Sequence, residues 1–267
     1  VRSGRYLAFV SSLISPLLLI ADLHTPQRWY NMLRIFRPTS AMSLGAWTLA
    51  CFGLFSGVTA AGQLLYDTVG SHIGRSIARV FGWPAAAAGA VMSFYTGVLL
   101  SSTSTPLWAC APRLLPALFG SSAASTAAAA IELVGKRFGQ TPYERKRLTR
   151  FAVVASAVEL SLSLALRTGW RQKHLDSPLR TLRYGATYNA ATLLGVVVPL
   201  AIHARSKASD RNKPSEITAA ALTLLGGYAL RAAVLFAGNQ SAQRPRDYFG
   251  LCQPVANGNP KPLQPKH

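Results

Sequence analysis

Long apolar stretches free of charge alternate with short charged segments along the first 243 residues of the chain. They run from Tyr6 to Ala21, Pro38 to Tyr66, Val80 to Pro112, Leu114 to Ile131, Phe151 to Leu166, Tyr184 to Ala204 and Ile217 to Gln243, the fifth holding Glu159 and the last Arg231. A membrane-spanning helix needs about 20 mostly apolar residues. The pattern therefore predicts an all-α integral membrane protein, a bundle of about seven transmembrane helices over residues 1–243. Residues 244–267, rich in Pro, Asn, Gly and Lys and without an apolar face, predict a disordered polar tail. Pro16 is expected to kink the first helix, and Pro38-Thr39-Ser40 to cap the second. The third run, 33 residues interrupted by Ser101-Ser102-Thr103-Ser104-Thr105-Pro106, has the length of two helices. The amphipathic stretch Asp67 to Arg79 predicts an interfacial helix, with Ile73, Ile77 and Val80 on one side.

Composition narrows the class. Half of the 267 residues are hydrophobic and 14% are charged, against about 25% in ordinary soluble domains. The net charge of +19 comes from Lys and Arg clustered between the apolar runs, where they meet anionic lipid. That layout is not a basic face with interleaved aromatics, so nucleic acid is excluded as the partner. The basic residues divide almost equally between the two sets of alternate loops, which leaves the orientation open. Cys51, Cys110 and Cys252 lack metal-ligand spacing, and the first two read as small core hydrophobes. Intramembrane haem is not expected, because His24, His72, His174 and His267 fall in loops or the tail and His203 ends a helix. No motif for a nucleophile, a phosphate loop or a catalytic metal is present, so the expectation is no catalytic residue and no metal in this chain.

Polar groups inside the apolar runs carry the functional candidates. An ionised side chain at mid-membrane costs at least about 2.5 kcal/mol, so Glu159 and Arg231 must face protein or water. Ser156 and Ser163 share a helix face with Glu159, forming a polar stripe that reads either as a proton relay or as an ion pair fixing helix packing. Arg231 follows Gly226-Gly227, which permit close approach of another helix. Glu216 opens the last helix and reads as a first-turn group favoured by the helix dipole. In the third helix, Gly89, Ser93, Gly97 and Ser101 recur every fourth residue and predict one packing seam, with Tyr95 on another surface. Counted from Trp83, Tyr95 lies ~18 Å into the span, where its phenol needs either a helix carbonyl or a ligand carbonyl such as a quinone oxygen. His72, entering that helix, reads as a surface residue or a proton donor.

The segment DLHTPQRWYNMLRIFRPTSAMSLGAW, residues 22–47, resembles the signature loop of the NrfD-like family, the membrane subunits of polysulfide-reductase-type complexes. SFYTGVLLSSTSTPLW, residues 93–108, resembles that family's fourth helix, and GGYALRAAVLFAG, residues 226–238, its last. The family has eight spanning helices, and the resemblance implies that its first, which carries a Gly-rich face of the quinone pocket, has no counterpart here. His24 stands where the family commonly has Gly.

The resemblance implies a haem-free membrane anchor in the bacterial inner membrane, a non-autonomous subunit of a respiratory oxidoreductase. It would exchange electrons between menaquinone or ubiquinone and an extrinsic iron-sulfur subunit, with a molybdopterin or multihaem catalytic subunit as a further partner. It further implies quinone binding by Tyr95 and His72, and proton transfer by Asp22, Glu159 and Arg231. Arg28, Arg34 and Arg37 belong to the signature loop, where they either hold the loop ends or pair with lipid phosphate. Two other classes stay open: a proton-coupled transporter using Glu159 and Arg231, and a purely structural anchor. Repeated halves with helices broken at corresponding positions, the mark of many transporters, are not evident.

Overall fold

The computed structural model describes residues 2–135, 139, 141–173, 182–205 and 213–244. The tail expected over 244–267, His174 and Cys252 thus lie, but for Arg244, outside the described residues. Helix α1 (Arg2–Ala21) is followed by a 3-10 turn (Pro26–Arg28), the single turn α2 (Asn31–Arg34) and the long α3 (Ala41–Val69). Then come α4 (His72–Val80), α5 (Gly82–Ser101), the single turn α6 (Pro106–Ala109), α7 (Leu114–Gly135) and α8 (Pro142–Gln172). A π-helical stretch (Leu193–Val197) joins α9 (Leu182–Thr192) to α10 (Val198–Arg205), and α11 (Lys213–Ala242) closes the fold. These make seven helices long and apolar enough to cross a bilayer, so the protein is an all-α, multi-pass membrane bundle as expected.

Local chemistry sets the helix ends. The Ser40 hydroxyl accepts the Ser43 N–H at 3.4 Å and caps α3. The other end of α3 turns at Gly70, whose φ of 69° favours glycine and whose N–H donates to the Tyr66 carbonyl. At the start of α8, Thr141 and Glu144 form a reciprocal capping box with Pro142 in the first turn. Pro16 sits inside α1, which continues through it.

Two expectations about the third apolar run and the stretch before it are revised. In the 67–79 stretch only His72 onward forms a separate amphipathic helix: Asp67 belongs to α3, and α4 folds back along the end of that helix. Gly62 and Gly74 permit this, because a Cβ at Gly62 would lie 2.9 Å from the Gly74 carbonyl oxygen, and one at Gly74 would lie 2.7 Å from that of Gly62. Only Phe81 separates α4 from α5, so one span runs from His72 to Ser101. The 33-residue apolar run also supplies one span and a single turn, rather than two helices. Ser101, Ser102 and Thr103 donate to the carbonyls of Val98, Leu99 and Leu100, at 3.0, 2.8 and 2.7 Å. Hydroxyls satisfied in this way compete with the helix ladder where α5 ends.

The helices pack as two antiparallel groups that share α7. One comprises α1, α3, the α4–α5 span and α7; the other comprises α7, α8, α9–α10 and α11. The second holds the main core, where Trp170 donates its indole N–H to the Leu107 carbonyl at 2.9 Å and Trp108 donates to the Val234 carbonyl at 3.0 Å. Leu17, Leu54, Leu225 and Tyr228 point outward with 65–75% exposure, a surface that only lipid solvates well. Cys110 is buried, donating its thiol to the Leu107 carbonyl at 3.3 Å, and burial pushes that thiol up from its ordinary range. Cys51 corrects the expectation of a core residue, since it is exposed on the outer face of α3. The small residues of α5 do not form one seam either. Gly89 faces Phe52 of α3, whereas Gly97 meets the backbone of Leu115 and Pro116 of α7.

Candidate functional site

Glu159 is 2% exposed at the α7–α8 contact, where its carboxylate accepts the Ser125 hydroxyl at 2.6 Å. Ser122, one turn earlier on α7, faces the same carboxylate, and Arg231 approaches it from α11 near enough to attract it through charge. The guanidinium of Arg231 donates to the Gly227 carbonyl at 3.4 Å and lies 5.9 Å from the centre of the Phe119 ring. Glycines make this meeting possible. Gly227 packs against Thr126 of α7, and Gly226 touches Gly195 of the π-helical stretch backbone to backbone. Ser156 and Ser163 are buried beside Glu159 on α8, as the helical spacing predicts, but Ser163 serves another partner. Its hydroxyl lies 2.8 Å from the Tyr188 hydroxyl and 3.4 Å from that of Thr192.

These groups belong to a longer polar column inside the second helix group. Towards the start of α8, Glu132 is 4% exposed and its carboxylate lies 3.8 Å from Nε2 of His203 on α10, whose Nδ1 is 2.7 Å from the Pro199 carbonyl. Nearer the helix ends, Arg145 of α8 is ion-paired with Glu216, a first-turn residue of α11 that is 2% exposed. Beyond Ser163 the column ends at the surface, where Arg167 donates to the exposed Asn189 side chain at 2.6 Å. Arg145 and Glu159 lie 14 residues apart on one helix, ~21 Å along its axis. Glu132 and His203 were missed as a pair, because the apolar run was closed at Ile131. The signal was present: Ser122, Ser125 and Glu132 recur at helical spacing on one face of α7.

The first helix group holds Tyr95. Its ring lies over Gly45 of α3, where any Cβ would collide with it, and the side chain is half-buried between the helices. Among the described residues, the Tyr95 hydroxyl has no hydrogen-bond partner. His72 sits elsewhere, exposed at the first residue of α4. The two are 23 residues apart along one span, on the order of 35 Å, so they cannot contact one head group together.

In the signature loop, Asp22 is exposed just past the end of α1, with its N–H donating to the Leu18 carbonyl at 3.1 Å. Arg28, Arg34 and Arg37 are exposed, and their guanidiniums hold nothing among the described residues. Ser43 closes the loop instead, accepting the Arg37 N–H at 3.0 Å and donating to the Ile35 carbonyl at 3.3 Å. The opposite end of this helix group carries a polar cluster that sequence reasoning did not find. Asp67 accepts the Tyr6 hydroxyl at 2.6 Å, the Gln63 amide at 2.9 Å and Nε of Arg2 at 2.7 Å, while Arg5 donates to the Gln63 carbonyl.

Among the described residues, no group of three or more His, Cys, Asp and Glu side chains is arranged to hold a metal ion. A family model of the NrfD type, described as polysulfide reductase, matches residues 1–244. No curated protein and no solved structure matches the chain.

Proposed function

The chain belongs to the NrfD-type polysulfide reductase family, and from that premise we propose that it is the quinone-interacting membrane subunit of a respiratory oxidoreductase. In this reading it exchanges electrons between menaquinone or ubiquinone and an extrinsic iron-sulfur subunit, and a molybdopterin or multihaem partner carries the terminal chemistry. The bacterial inner membrane is its place. A bound quinol supplies two electrons and two protons.

Tyr95 is the residue that would hold the quinone. The observation that carries this reading is its phenol, because a half-buried hydroxyl deep in a span requires a partner and no described residue provides one. Half-exposure also leaves the hydroxyl reachable by a lipid-soluble carrier without opening the bundle. Its donated hydrogen bond would orient a carbonyl oxygen at the α3–α5 contact. Glu159 and Arg231 would handle protons, with Ser125 holding the carboxylate in place. His72 and Asp22 drop out of this machinery, since neither sits within the bundle beside these groups.

The test uses the protein purified with its native partners and a menaquinol analogue, reading electron delivery to the iron-sulfur subunit. One hydrogen bond of about 0.5–1.5 kcal/mol corresponds to roughly a two- to tenfold loss in kcat/KM for Tyr95→Phe. Unchanged turnover and affinity would remove Tyr95 from the site. Failure of any quinone analogue to bind would leave the transporter or the bare anchor instead.

A further inference from the structure

A cavity of about 510 Å³ opens on the first helix group at the end remote from the signature loop, a size typical of small-ligand sites. Its walls are mostly apolar, with Phe52 of α3 and Trp83 of α5 among them. Trp83 is 78% exposed, as befits an aromatic at a membrane–water boundary. Four polar side chains also line it: Arg5 of α1, Arg79 of α4, and Ser56 and Thr59 of α3. Ser56 and Thr59 are 1% and 3% exposed, and their hydroxyls have no hydrogen-bond partner among the described residues. Two buried donors at the wall of one apolar cavity, both unsatisfied, indicate acceptors supplied from outside the chain.

We propose that this cavity binds an acidic phospholipid, its phosphate between Arg5 and Arg79, its ester carbonyls on Thr59 and Ser56, and its acyl chains along the Phe52 wall. The order of the groups along the membrane normal matches such a lipid. Arg5 lies level with Gln63, to which it donates; Thr59 is one turn deeper on α3, ~6 Å, and Ser56 two turns deeper, ~10 Å. Charge, then hydrogen-bond donors, then apolar wall is the sequence phosphate, ester, hydrocarbon. The two guanidiniums are also near enough to repel one another, an arrangement that an anion between them relieves. Among the described residues, Arg79 has no hydrogen-bonded partner. This site is separate from Tyr95, and its test does not involve electron transfer.

The experiment uses the purified chain in phosphatidylcholine nanodiscs doped with phosphatidylglycerol or phosphatidylcholine brominated in the acyl chains, reading fluorescence quenching as the difference between the protein and Trp83→Phe. Quenching of Trp83 should favour the acidic lipid on the order of tenfold, since each Arg near the surface attracts anionic lipid measurably. Arg79→Gln, which breaks no hydrogen bond, should remove most of that preference, and Arg5→Gln/Arg79→Gln the rest. Arg75→Gln, on the same helix but stacked on Tyr66 outside the cavity, should leave it intact. Ser56→Ala/Thr59→Ala should weaken quenching by both lipids. Equal quenching by the two lipids, or a preference insensitive to Arg79→Gln but lost in Arg75→Gln, would overturn the proposal. So would a thermal shift produced by inorganic phosphate in pure phosphatidylcholine, which assigns a free anion, or displacement of the brominated lipid by a quinone analogue, which assigns the carrier.

Discussion

Gly226→Ala would place a methyl group where α11 touches the π-helical stretch backbone to backbone. The new Cβ would lie 3.0 Å from the Gly195 nitrogen and 3.2 Å from the Ala191 carbonyl oxygen, and nearer still to the Gly195 α-carbon. Optimal carbon contacts lie near 3.5–4.0 Å, and no flexible side chain is available to yield, so the helices themselves must part. Overpacking of this kind costs about 1–3 kcal/mol. Alanine is also a better helix former than glycine by up to about 1 kcal/mol, which would partly conceal the effect. Gly53→Ala removes that ambiguity, because Gly53 lies mid-helix in α3 with nothing within 4 Å of its Cβ position. The propensity gain is shared, so the difference between the two variants isolates the packing cost of about 1–3 kcal/mol, roughly a 5- to 150-fold change in the folded-to-unfolded ratio. Equilibrium unfolding in mixed micelles with increasing dodecyl sulfate measures it. Equal stability of the two variants would refute the claim that Gly195 and Gly226 are required at a helix contact. The same displacement should carry Gly227 away from Thr126 and loosen Arg231 from Glu159, so quinol-linked proton release should fall along with stability.

Further outcomes follow from the placement of single residues. His72→Ala should leave quinol-dependent turnover unchanged, because the imidazole is exposed on the order of 35 Å from Tyr95; a loss comparable with that of Tyr95→Phe would place the two at one site after all. Glu159→Gln keeps an acceptor for the Ser125 hydroxyl and should fold, yet slow proton release in liposomes carrying a pH dye by about 10²-fold. Unaltered proton release would make Glu159 a packing residue. Arg145→Ala should destabilise the protein by about 2–3 kcal/mol, a buried-pair cost reduced for the one-third exposure of Arg145, and adding Glu216→Gln should recover part of it. Chemical unfolding of the single and double variants distinguishes this from simple additivity.

Hydropathy alone located all seven spans, since whether a helix can sit in lipid depends on its own length and composition. Helical spacing likewise put Ser156, Glu159 and Ser163 on one buried face, and the depth of Tyr95 marked its phenol as needing a partner. The short polar segments were less legible. Residues 67–79 have the pattern of an amphipathic helix, but that Gly62 and Gly74 let His72–Val80 pack against the end of α3 is visible only when both helices are in place. The resemblance alone offers Asp22 as an intramembrane group, and only the structure places it exposed, one residue past the end of α1. The partners of the buried charges were likewise decided by tertiary structure: Ser125 for Glu159, His203 for Glu132 and Arg145 for Glu216. The cavity framed by Arg5, Arg79, Ser56 and Thr59 came from three separate helices. Spanning a bilayer is a property of one segment at a time, whereas satisfying a buried polar group depends on which other segment lies against it, and that is set by close packing of small residues between helices far apart in the chain.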